Sequence, residues 1–133
     1  MQVIQEFDPV IYPYKLWVLI AKNTDSISEL FYEYSGEPLK FAIDTTGIAY
    51  TTPVMEKETR KYGVLIFFKS KRDMTFETVA HEASHAAKYL FSHINASIDE
   101  HEPFEYVIGW IAKCCSQVKS KKTKIATNEQ EKK

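Results

Sequence analysis

Two hydrophobic periods divide the chain. Up to about Lys69 the apolar residues come in short blocks or alternate with polar ones, the spacing of β-strands. From Thr75 they recur every three or four positions, the spacing of α-helices. Asp8-Pro9 reads as a turn. Val10 to Ala21 is rich in β-branched and aromatic residues and predicts a strand, with Pro13 near its start, where a lost N–H donor is tolerated. Asp25 or Ser26 can cap a short helix running through Glu29 and Phe31 to Tyr34, ended by Ser35-Gly36. A short strand is predicted at Phe41 to Ile43. Two more are predicted at Ile48 to Glu56 and Val64 to Lys69, joined by the turn Lys57 to Gly63. These strands make a small, mostly antiparallel sheet.

In the second period Thr75 is the predicted N-cap of a helix that runs, without Gly or Pro, to about Phe91. At 100° per residue Phe76, Ala80, Ala83, Ala87 and Leu90 form one apolar stripe. Thr78, His81, Glu82, His85 and Tyr89 fall on the other side, which predicts that they face a cleft. After a loop from His93 to His101, Pro103 suits the first position of a second helix with Glu102 as its N-cap. That helix extends to about Val118, with Phe104, Val107, Ile108, Ile111, Cys115 and Val118 as its core stripe.

The pattern therefore predicts an α+β fold: a small sheet packed against two helices, over residues 1–118. Residues 119–133, with six lysines against two glutamates, read as a flexible basic tail. A length of 133 residues suits a single core. Apolar residues at 44% and aromatics at 14% are globular proportions, and the aromatic-rich first half supplies core material. The net charge of −1 gives no bulk field for nucleic acid or an anionic membrane, so neither is an expected partner; the tail offers at most a local electrostatic contact. No apolar run approaches the ~20 residues of a membrane helix. Two adjacent cysteines, Cys114 and Cys115, cannot staple distant segments, and they fit a reducing, cytoplasmic setting.

The chemistry is concentrated in His81-Glu82-Ala83-Ser84-His85. Histidines at i and i+4 on a helix stand one turn apart on one face, so both imidazoles can reach one Zn2+ ion. Glu82 stands next to them as the candidate general base for a water on that ion. A catalytic site needs a third protein ligand and one open position. The acidic and histidine residues downstream are His93, Asp99, Glu100, His101, Glu102 and Glu105. Glu102 is favoured because it opens the second helix on the side away from its core, although a plain capping role would explain it too. His101 is the rival, and Glu105 with Asp99 or Glu100 could orient the histidines instead. Tyr106, one turn beyond Glu102, is a candidate oxyanion donor or simply a cleft wall, and Tyr89 has the same standing. Ser84 reads as a packing residue, because no strained turn presents it as a nucleophile. The paired cysteines lack the spacing of a redox motif.

The stretch from Thr78 to Ala87 resembles the zincin metallopeptidase signature, and Glu102-Pro103-Phe104-Glu105-Tyr106 resembles the glutamate-bearing helix of its gluzincin branch. His81 to Trp110 is similar to short metallopeptidase-like proteins of tailed bacteriophages and mobile elements, and distantly to the repressor-cleaving ImmA/IrrE peptidases. The resemblance implies a minimal zincin fold, with zinc held by His81, His85 and Glu102. It further implies an edge strand that holds a peptide or protein substrate, in the host cytoplasm or the virion. The histidine found two turns further on in metzincins is absent, as is the large second lobe of familiar peptidases. A non-catalytic interaction protein built on the same scaffold, with a structural metal site, is the alternative.

Overall fold

The structure, a computed structural model, describes residues 2–39, 47–99 and 101–121, and of His101 the backbone only. It is an α+β fold. Five strands, β1 (Val3–Phe7), β2 (Lys15–Ile20), β3 (Phe31–Glu33), β4 (Ala49–Glu56) and β5 (Tyr62–Phe68), form one sheet in the order β1-β2-β5-β4-β3. The helices are α1 (Asp25–Leu30), α2 (Phe76–His93) and α3 (His101–Lys119). All neighbouring strands are antiparallel except β2 and β5, which run parallel at the centre of the sheet.

The central pair explains its own sequence. Leu16 to Ile20 and Val64 to Phe68 are unbroken apolar runs because both faces of these strands are covered, as parallel strands require. Leu16, Val18, Ile20, Val64, Ile66 and Phe68 face α2 and α3. Trp17, Leu19, Leu65 and Phe67 face the other way, against Ile27 of α1, Phe31 and Val54. Trp17 is buried with its indole N–H donating to Glu6 Oε1 at 3.0 Å. It lies across Gly63, where a Cβ would come within 2.5 Å of the Trp17 ring and 2.4 Å of the Lys15 carbonyl oxygen.

Several predicted boundaries move. The strand predicted from Val10 begins at Lys15, because Val10 to Pro13 make the bend that returns the chain from β1. β1 lies in the segment read only as leading into a turn; it gains its order by pairing with β2. The helix predicted to reach Tyr34 stops at Leu30. Phe31 to Glu33 form β3 instead, since pairing with β4 and burial of Phe31 outweigh local preference. The strand predicted at Phe41 to Ile43, and the tail from residue 122, lie outside the described residues.

α2 begins as predicted, with the Thr75 hydroxyl accepting from the Thr78 N–H at 3.2 Å. It ends beyond Phe91 at His93, where Asn95 takes a left-handed φ of 58° and the Ala96 N–H returns to the Phe91 carbonyl. Its buried face is Glu82, Ala83, Ala86, Ala87, Leu90 and Phe91. Two members of the predicted stripe are on the wrong side: Phe76 is 97% exposed and Ala80 is exposed. The packed face is rotated towards Ala86, which carries Glu82 inward.

α3 starts at His101, so Glu102 lies inside the first turn and not at the predicted N-cap. Val107, Ile111, Cys115 and Val118 are buried as predicted, together with Cys114. α2 and α3 form an antiparallel hairpin. Phe91 meets Phe104 at its open end, ring centroids 5.3 Å apart, and Lys119 Nζ donates to the Met74 carbonyl at the other, at 2.8 Å.

Candidate metal centre

His81 and His85 both lie on the exposed side of α2, and their Nε2 atoms are 3.2 Å apart with ring planes at 81°. Two nitrogens at 2.0–2.1 Å from a tetrahedral zinc stand roughly 3.3 Å apart, so the pair is spaced to share such an ion. The same distance serves a direct N–H···N bond between neutral imidazoles.

Glu82 occupies a different environment. It is 8% exposed, and its Oε1 accepts a hydrogen bond from the Thr51 hydroxyl at 2.5 Å. Thr51, also 8% exposed, sits on β4 opposite Ile66 of β5, on the side of the sheet that α2 covers. Sequence reasoning singles out Glu82 but not Thr51. The only signal for Thr51 is a threonine within a strand pattern, and alternation alone does not say which face it takes. A shallow cleft of about 240 Å³ joins the two environments, lined by Ile48 and Ala49 from the start of β4 and by Glu77, Thr78, His81 and Glu82 of α2.

The remaining candidates are placed elsewhere. Pairing Phe91 with Phe104 and Met74 with Lys119 fixes the hairpin register, and it sets Glu102 opposite His93. Eight residues separate that level from His85, or about 12 Å of helix, and His81 is a further turn away. At the level of the two histidines α3 presents Trp110 to Cys114, a stretch without carboxylate or imidazole. Tyr106 is 74% exposed, and Glu105 and Asp99 are exposed. Among the described residues no group of three or more His, Cys, Asp or Glu is arranged to hold a metal ion. The side chain of His101 and the whole of Glu100 lie outside the described part.

His93 belongs to an aromatic cluster, not to the histidine pair. Its Nδ1 is hydrogen-bonded to the Tyr34 hydroxyl, and its ring lies 4.6 Å from Tyr14 and 5.7 Å from Tyr62. Burial pushes the Tyr14 phenol up, with Tyr34 and Tyr89 adding to the effect. Behind Glu82, burial raises the Cys115 thiol to about 12, helped by Cys114 and Glu82. Burial likewise raises Cys114, to about 11. Both are free thiols held neutral, far from the reactive thiolate state.

No protein-family model, curated protein or solved structure matches the chain. Among the described residues no helix is long and apolar enough to cross a membrane.

Proposed function

We propose that the chain is a zinc-dependent hydrolase that cleaves a peptide bond in an extended substrate. The observation that carries this reading is the pair of imidazole nitrogens 3.2 Å apart on the exposed face of α2, with a sheltered carboxylate on the very next residue after His81. In this reading His81 and His85 hold the ion. A zinc bound there supplies Lewis acidity and brings the pKa of its water towards neutrality. Glu82, steadied through one oxygen by Thr51, takes the proton of the attacking water. With Glu102 near the level of His93 and Tyr106 74% exposed, this reading assigns neither of them a role and rests on His81, His85 and Glu82.

The substrate class follows from β4. Its start lines the cleft beside His81. In this reading an extended segment of substrate enters that cleft beside the histidines. A reducing, cytoplasmic setting fits the two free cysteines.

A non-catalytic interaction protein with a structural or vestigial metal site is the second reading. It is favoured by the absence of a third protein ligand among the described residues. One experiment separates the two: zinc titration by calorimetry, paired with hydrolysis of an unfolded polypeptide such as casein. Glu82→Gln is expected to bind zinc like the parent chain and to lose turnover. Turnover at the parent rate in that variant rejects the mechanism, and zinc binding without turnover in the parent favours the second reading.

A further inference from the structure

A net charge of −1 hides an uneven distribution. Three segments far apart in sequence, 21–23, 69–77 and 119–121, meet at one end of the sheet. The Ala21 N–H donates to the Phe68 carbonyl at 3.1 Å, which brings Lys22 to the level of Lys69. At the end of α3, Lys119 Nζ donates to the Met74 carbonyl at 2.8 Å, and Lys71 Nζ donates to the Lys121 carbonyl. Six cations gather there: Lys22, Lys69, Lys71, Arg72, Lys119 and Lys121, all exposed except the half-buried Lys71. The carboxylates of the same segments are Glu77 and Asp73, which accepts from the Ser70 hydroxyl at 2.8 Å. Like charges brought this close repel one another, so the gathering costs stability until a polyanion covers it. In the sequence Lys122 and Lys124 follow at once.

Phe76 stands within this basic end, two residues after Met74, and it is 97% exposed. The helical period places its ring in the core, but the packed face of α2 turns away from it, so the ring adds nothing to folding. A solvent-facing aromatic ring set among cations suits single-stranded nucleic acid: the ring stacks on an unpaired base while the cations follow the phosphates. In a duplex both faces of each base are already stacked, and the ring finds no partner. We infer that this end of the molecule binds single-stranded nucleic acid, with Phe76 as the stacking platform and Lys71, Arg72, Lys119 and Lys121 on the phosphates. The interaction draws on no metal and stands apart from the zinc reading of His81 and His85.

Fluorescence anisotropy tests this on the full chain in EDTA, with a labelled oligothymidylate of about 16 nucleotides. Salt is varied from about 50 to about 200 mM, and each neutralised phosphate of a single strand adds ~0.7 to the slope of log Kd against log salt. The expected slope is about 3, from roughly four such contacts. Phe76→Ala should weaken binding roughly tenfold at every salt concentration and leave the slope unchanged, and Phe76→Trp should restore it. Because the ring is exposed, the melting temperature of Phe76→Ala should equal the parent's. The double variant Lys71→Gln with Arg72→Gln should lower the slope by about 1.4. No binding at the lowest salt would overturn the inference. So would parent affinity in Phe76→Ala, equal or tighter binding of a duplex of the same length, or binding confined to vesicles of phosphatidylglycerol.

Discussion

The hydroxyl of Thr51 on β4 and the carboxylate of Glu82 on α2 meet at 2.5 Å in a place where each residue is only 8% exposed. This bond ties the motif-bearing helix to the sheet. A buried carboxylate without a partner is costly, so the threonine is what allows Glu82, and not Ala80, to face inward. The rotation that buries Glu82 also turns His81 and His85 outward to solvent.

Replacing Thr51 by Val keeps the shape and removes the donor. A hydrogen bond to a charged group contributes about 1.5–3 kcal/mol, so Thr51→Val is expected to destabilise the fold by ~2 kcal/mol, and Thr51→Ser by much less. Urea denaturation curves of the two variants measure this. A midpoint for Thr51→Val equal to the parent's would mean that the bond contributes nothing to docking α2.

The hairpin register makes a prediction about the residue that the sequence favours as third ligand. Glu102 sits about 12 Å along the helix axis from the level of His85, beyond the reach of its side chain. Glu102→Gln should leave zinc affinity unchanged, while His81→Ala should abolish it. A tenfold loss of affinity in Glu102→Gln, read by calorimetry, would place the start of α3 at the metal after all.

These placements show where sequence patterning reaches and where it stops. The 3.6-residue period locates α2 and α3, the Thr75 cap and most of the α3 core, because those features are local or repeat many times. An apolar run locates β5 for the same reason. The period does not locate Glu82, because a wheel groups it with His81 and His85 on the polar side and cannot see the hydroxyl that Thr51 brings from another element. Nor does it separate α1 from β3, where Phe31 is drawn into strand pairing with Glu56 of β4. The sequence favours Glu102 as a ligand because it opens α3 on the side away from that helix's core. The length of α2, two turns past His85, carries that start away.

Gly63 tests the packing of the central strands. A methyl group there would meet the Lys15 carbonyl at 2.4 Å and the Trp17 ring at 2.5 Å, and the carbonyl belongs to the paired backbone of β2. Overpacking of a rigid site costs about 1–3 kcal/mol or more, so Gly63→Ala should fall at or above the upper end of that range. Thermal melting with tryptophan fluorescence reports it directly, since Trp17 lines the contact. Unchanged melting and emission would mean that β2 and β5 separate easily.

Cys115 links stability to alkaline pH. Burial raises its thiol to about 12 from 9.0, and the neighbouring Cys114 and Glu82 act in the same direction. Below pH 9 both the folded and unfolded forms carry the proton, so this residue adds no pH dependence. Above pH 9 the unfolded chain releases the proton while the folded chain retains it up to about pH 12, and stability falls as pH rises through that window. The limiting slope for one such buried group is about 1.4 kcal/mol per pH unit. Cys115→Ala shifts stability by a constant cavity cost but should flatten the decline. Urea midpoints of parent and variant between pH 8 and 10.5 give the difference, in which the lysine and tyrosine contributions cancel. Parallel curves would mean that the Cys115 thiol ionises in the folded chain as freely as in the unfolded one, and that the core behind Glu82 is open to water.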